Sequence, residues 1–346
     1  MPRTIAALAL SLLAGPAGAL ADVSVRMQQL YQFPNATQFV ENIAIRPNGN
    51  LLLNTFDDGR MYTLDPRWRS GGGDAARLVV KVPGIDGLTG IAEIAPDVFA
   101  VSGGVNNLSD YSFVLGTARI VTVDFNRRHS GGSTGGGGTG NTPTVRTVAR
   151  VPDTRMLNGL VALPRHPHVV LSADSKGGRV LRTDTRTGRV DVAFADSRLA
   201  PGTGPPPELV PLGINGVRIA AAEGGWFLYL TSSARRTFMR VRIDEWGNRR
   251  GELETLAQLP GSPIEDAKVP DDFALARDGS AYVATHLSTL VKVAPDGRWT
   301  SVVGAEGDAK LDSPTSAVLT RDEKTLYVVT AGGIDGKGGQ VVAVHL

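Results

Sequence analysis

The sequence predicts an all-β protein, a six-bladed β-propeller whose ring is closed by pairing of the N- and C-terminal strands. Three observations predict it. Apolar residues come in short alternating runs bounded by Gly, Pro, Asn and Asp, and no helical period is sustained beyond a turn or two. A unit of one pattern recurs six times, most fully in LNGLVALPRHPHVVLSADSKGGRVLRTDTRTG from Leu157 to Gly188. The units open at Glu41, Thr89, Asn158, Asn215, Asp271 and Thr315, spaced 48, 69, 57, 56 and 44 residues apart, which are propeller-blade lengths. Finally, 42 Gly and 21 Pro in 346 residues, with 42% hydrophobic residues, suit many turns around a large core.

Taken in order, Arg3 precedes the apolar run IAALALSLLAGPAGAL, and Ala19-Leu20-Ala21 has the small-x-small pattern of a cleavage site. Residues 1–21 therefore read as a secretory signal peptide, placing the chain in the secretory pathway or outside the cell. Residues 22–346 read as a single propeller domain. Val23 to Gln32 alternates weakly and is expected to pair beside Gln340 to Leu346, which removes a free sheet edge. In the first unit Asn48-Gly49 is a strong hairpin turn and Asp57-Asp58-Gly59 makes the next. The second unit carries a connection, VNNLSDYSFVLGTA, longer than a hairpin needs, so it is a site loop or an insertion. SGGSTGGGGTGN, residues 130–141, is expected to be a flexible surface loop and accounts for the longest spacing. LAPGTGPPPELVPLG before the fourth unit holds too much Pro for a strand interior.

Composition excludes several function classes. A net charge of +2 gives no basis for nucleic-acid or anionic-membrane partners. The absence of Cys removes thiol catalysis, Cys-zinc sites and iron–sulfur clusters. No G-x-S-x-G, H-E-x-x-H or dinucleotide fingerprint is present. Chemistry in such a chain rests on general acid–base action, electrostatics or shape.

If the units are in phase, their opening residues form a ring around the central axis near one mouth. Two carboxylates and four neutral polar groups in a ring suit a hard cation such as Ca²⁺. Asn and Asp at strand starts equally satisfy neighbouring backbone groups, and both readings stay open. A second tier follows each unit's second strand: Asp57, Asp58, Asn106, Asn107, Asp110, Tyr111, Asp174, Ser232, Arg235, Arg236, His286, Asp335 and Lys337. Among the histidines His286 stands out, because it ends an inner hairpin strand and titrates near neutral pH when unperturbed.

The whole stretch from residue 22 resembles the SMP-30/gluconolactonase-like superfamily of six-bladed propellers. That superfamily's metal site, carried over by motif, falls on Glu41 (FVENIA), Asn158 (LNGL), Asn215 (INGV) and Asp271 (VPDDFAL). Here the Glu lies in Val-Glu-Asn, and Asp272 stands where the family has Gly. FPNATQFVENIAIRPNGNLLLNTF, LTGIAEIAPDVFAVSGG, GINGVRI and DDFALARDGSAYVATH resemble the fungal, secreted hetero-Diels–Alderase-like branch. The resemblance implies an enzyme of secondary metabolism. It would join an o-quinone methide, made from a tropolone or aromatic polyketide, to a terpene alkene in the central funnel, with no cofactor required. Hydrogen-bond donors at the quinone methide oxygen would come from His286, Arg235, Lys337 or Tyr111, with Asp271 also catalytic. Glu41, Thr89, Asn107, Asn158, Asn215 and Thr315 would face the substrates. The parent superfamily implies an alternative, a Ca²⁺-dependent lactonase with Asp271 as base. A non-catalytic binding propeller is the third reading, since fold does not fix function.

Overall fold

The computed structural model describes residues 23–68, 75–107, 110–126, 142–202, 212–260, 269–286, 288–304, 307–333 and 335–346. The expected signal peptide and Gly-rich loop lie outside them. The described residues are all-β. A 3₁₀ turn at Ser197–Leu199 is their one helical element.

The first strand, β1 (Val23–Gln32), is followed by four separate four-stranded antiparallel sheets. The first holds β2 (Val40–Ile45), β3 (Leu51–Thr55), β4 (Arg60–Leu64) and β5 (Ala76–Lys81). In the second, β6 (Gly87–Ala95) and β7 (Val98–Gly104) lead through a small hairpin, β8 (Asn106–Asn107) and β9 (Ser112–Phe113), to β10 (Arg119–Asp124) and β11 (Thr144–Arg150). The long second-unit connection is thus an insertion with pairing of its own. The third sheet holds β12 (Leu157–Ala162), β13 (Val169–Asp174), β14 (Arg179–Asp184) and β15 (Val190–Ala195). The fourth holds β16 (Ile214–Ala222), β17 (Gly225–Ser232), β18 (Thr237–Ile243) and β19 (Glu254–Gln258).

The remaining strands form one eight-stranded sheet. They are β20 (Pro270–Leu275), β21 (Ala281–Thr285), β22 (Thr289–Val293), β23 (Trp299–Gly304), β24 (Pro314–Leu319), β25 (Thr325–Thr330) and β26 (Gln340–His345). Their order is β20-β21-β22-β23-β1-β26-β25-β24. As the alternation of VSVRMQQLYQ predicts, β1 pairs antiparallel with β26, Met27 opposite Val344. Unforeseen is its second edge, which pairs parallel with β23, Ser24 opposite Val303. The two partners take up successive stretches of β1, Val23 to Val25 and Arg26 to Gln32, so that β1 covers an outer edge of each.

The first strand of each unit packs against the first strand of the next. β2 contacts β6, β6 contacts β12, and so on through β16, β20 and β24 back to β2. The core is a set of layers between neighbouring sheets. Leu52 and Met61 of the first sheet meet Phe99, Val101 and Val121 of the second, all buried. Leu171 and Val180 of the third meet Leu228 and Val241 of the fourth. Sheets covered on both faces need apolar residues at consecutive positions, which is why LLL (51–53) and VVL (169–171) break strict alternation.

Candidate functional site

The opening residues do occupy equivalent positions. Glu41, Asn158, Asn215, Asp271 and Thr315 are second in their strands and Thr89 is third. In every case the pairing to the neighbouring strand breaks register beside that residue, for example between Val40 and Asn42, Leu157 and Leu160, and Pro270 and Phe273. A bulge inserts an unpaired residue and turns its side chain away from the pleat. The six polar residues are thus placed by one repeated backbone irregularity. All six are buried, with Glu41 the most accessible at 5%.

Burying polar groups is costly unless they are hydrogen-bonded, and most of the ring meets that condition. The Thr89 and Ser102 hydroxyls bond at 2.8 Å. Thr315 donates to the Val40 carbonyl at 2.7 Å, which joins the last first-strand to the first. Asn215 Nδ2 donates to Ser233 Oγ at 3.0 Å. The Oδ1 atoms of Asn158 and Asn215 are buried without a partner among the described residues.

Charge is concentrated at one arc of the ring. His286 Nε2 lies 2.9 Å from Asp271 Oδ2, with the imidazole about a quarter exposed and the carboxylate buried. Burial raises the Asp271 pKa, and hydrogen bonding to His286 counters part of that rise. Burial also lifts Glu41 well above the ordinary carboxylate range, and the negative charges of Asp271 and Asp272 add to it. Glu41 therefore holds its proton above the pH at which an exposed glutamate releases it.

Asp272 belongs to a separate buried network that spacing did not reveal. Its Oδ2 accepts from Arg218 Nη2 at 2.8 Å, Asn42 Nδ2 at 3.0 Å and Ser316 Oγ at 3.3 Å. Asn42, Asp272 and Ser316 each follow a ring residue by one position, so the signal was a second repeat position one step on. The Gly residues at the equivalent places mark where strands come closest. A Cβ on Gly159 would stand 2.6 Å from the Asn215 carbonyl oxygen.

The other expected donors do not join this arc by any hydrogen bond among the described residues. Arg235 is exposed and donates from Nη2 to the Ser197 carbonyl at 3.1 Å. Lys337 is exposed, in the turn before β26. Tyr111 is 69% exposed with φ of 50° in the β8–β9 hairpin, where Asn107 pairs with Ser112.

A hard cation finds a partial fit. Among the described residues no group of three or more His, Cys, Asp or Glu is placed to hold a metal. Glu41 and Asp271 supply only two carboxylates, and the unpartnered amide oxygens of Asn158 and Asn215 are what would complete an oxygen set.

Further along the same first strands is a cavity of about 1020 Å³. Ile43, Ile45, Ile91, Leu160, Val161 and Val318 supply much of its wall. These residues lie two or more positions beyond the ring, roughly 7 Å or more at a strand's rise. Arg218 also lines it, so the Arg218–Asp272 pair stands between ring and cavity. Arg46, Arg67 and Arg321 are the other cations of the lining and Glu93 its carboxylate.

No family model matches the chain. It is 27% identical over 337 residues to "Putative hetero-Diels-Alderase asR5" of Sarocladium schorii, covering 88% of this chain and 77% of that protein. It is also 27% identical over 335 residues to a "Putative hetero-Diels-Alderase" of a Phoma species, covering 88% and 85%. Among solved structures it resembles regucalcin, a calcium-binding protein of Agrobacterium tumefaciens, with a TM-score of 0.61 at 14% identity over 94% of this chain and 97% of that one. The expected resemblance to hetero-Diels–Alderase-like chains is found, and the likeness to regucalcin is one of fold.

Proposed function

We propose that this chain is a biosynthetic pericyclase of the hetero-Diels–Alderase kind, built on six blades, with the eight-stranded sheet counted as two blades joined through β1. The observation that carries the reading is similarity over 88% of the chain to two proteins described by that activity. In the proposed reaction an o-quinone methide supplies four π electrons through its carbonyl and exocyclic alkene. A terpene alkene supplies two. One C–C and one C–O bond form and the ring becomes aromatic or tropolonoid, with no net proton transfer and no oxidant.

Such a reaction needs two neutral partners held in a near-attack arrangement, where entropic assistance is large. It also needs a donor at the oxygen that gains negative charge. His286 fits the second need. Its Nε2–H is held by Asp271, and the other ring nitrogen has no hydrogen bond among the described residues. Protonated, the imidazole would donate from that nitrogen while Asp271 keeps the ring in place. No cofactor takes part in this reading, and the partners are small molecules.

The experiment is turnover of a quinone methide precursor and humulene by the purified chain, with dihydropyran formation measured against buffer. Enhancement is expected, and loss of the His286 donor in His286→Ala is expected to lower kcat roughly 100-fold. Product formed no faster than in buffer overturns the reading.

The unpartnered Asn158 and Asn215 oxygens favour one second reading, a Ca²⁺-dependent lactonase. Glu41, Asn158, Asn215 and Asp271 would hold the ion, which when bound polarises a lactone carbonyl. Asp271 would then act as base. Metal content and melting with and without EDTA test it, because an ion bound only by the folded chain raises the melting temperature. One equivalent of Ca²⁺ and destabilisation by EDTA support the lactonase; neither effect removes it.

A further inference from the structure

We propose that the cavity at the far ends of the first strands is a binding site, distinct from the polar ring, for a small molecule with an apolar body and one anionic oxygen group. Size and wall chemistry come first. About 1020 Å³ lies at the upper end of the range of small-molecule pockets, and Ile, Leu, Val and Ala side chains with Phe99 and Tyr327 give it an apolar wall between the charged groups. An apolar body of two or three rings fits within such a space and covers part of that wall.

The charge of the lining fixes the other end of the ligand. Four arginines and one glutamate line the cavity, and Arg67 is taken up by an ion pair with Asp65 at 3.0 Å. Asp97 holds Arg46 by two hydrogen bonds of 2.9 and 2.6 Å, so that guanidinium is a fixed part of the rim. Arg321 lines the cavity, is exposed and has no ion pair among the described residues, which makes it the rim cation left to draw an anionic head. Arg218 is largely buried, its side chain 21% exposed. It donates to the Val217 carbonyl and to Asp272, which uses two of the five N–H groups of a guanidinium. The remaining donors are available to a carboxylate, sulfonate or phenolate without breaking the pair to Asp272. Charge-assisted bonds of this kind are about twice as strong as neutral ones, so an anionic head is preferred over a hydroxyl. The site does not depend on the pericyclase reading, since it uses none of the ring residues.

The test is fluorescence titration of the full chain with 8-anilinonaphthalene-1-sulfonate, an apolar aromatic body with one sulfonate, and with N-phenyl-1-naphthylamine, the same body uncharged. One sulfonate-probe site is expected. Val161→Trp should block it, weakening both probes at least 10-fold. Arg321→Glu, at an exposed position that leaves the core untouched, should weaken the sulfonate probe about 5-fold and leave the neutral probe unchanged. Sulfonate binding that is indifferent to Arg321→Glu overturns the proposal whether or not the Trp variant folds. Equal loss of both probes in Arg321→Glu overturns it too. Because the readout is binding, neither outcome depends on turnover.

Discussion

Burial of Glu41 beside the carboxylates of Asp271 and Asp272 makes its proton part of the folded state. The folded chain then binds a proton that the unfolded chain releases near its ordinary value of 4.5. Below that pH the group contributes no pH dependence. As pH rises from there through the raised folded value, it lowers stability. Glu41→Gln should therefore flatten the fall in stability between pH 4 and pH 8, gaining on the native chain only at the upper end. Urea unfolding at the two pH values reads this directly. Asp271 is shifted in the same direction, so the slope shrinks without vanishing. Asp272 forms an ion pair with Arg218 at 2.8 Å. Asp272→Ala leaves that guanidinium without its ion partner and should cost about 3 kcal/mol, the low end for a broken buried pair, because Arg218 reaches the cavity. A lowered urea midpoint with unchanged slope is the expected sign. Glu41 and Asp271 were legible because each opens a repeat. Arg218 was not, because it bonds across 54 residues to another strand and stands in an ordinary polar position of its own.

At the scale of the element, the polar–Gly dipeptides mean something different from a turn signal. Asn158-Gly159 and Asn215-Gly216 lie inside strands, where the missing Cβ lets neighbouring first strands approach. Gly159→Ala would press a methyl on the Asn215 carbonyl oxygen and is expected to destabilise by about 1–3 kcal/mol, as overpacking does. Thermal unfolding checks it, and a neutral result would show that the strands part easily. Asn48-Gly49, by contrast, is the hairpin turn that the dipeptide predicts, with Gly49 at φ of 87°. Strand order was readable from alternation and turn residues. The bulges were not, because an extra unpaired residue leaves no mark in a pattern whose faces are both buried.

For the whole molecule, the sequence-level expectation that terminal strands pair is met, and its parallel neighbour β23 adds a second bond line. Removing β1 would uncover the edges of both β23 and β26. A chain starting after Gln32 is expected to lose cooperative unfolding and to associate, read by melting and by size-exclusion chromatography. The repeat period made the ring legible, whereas the parallel pairing was hidden because no local pattern records which edge lies across a gap. The same arrangement has a consequence in time. β1 is the first described strand to be synthesised, and its partner β26 is the last, beginning at Gln340. At about 5–20 residues per second, translation separates them by on the order of 15–60 s. For that interval β1 waits without β26 while the middle sheets assemble, and a nascent chain that stalls before Gln340 displays its own incompleteness as open strand edges, the surface that chaperones and proteases read.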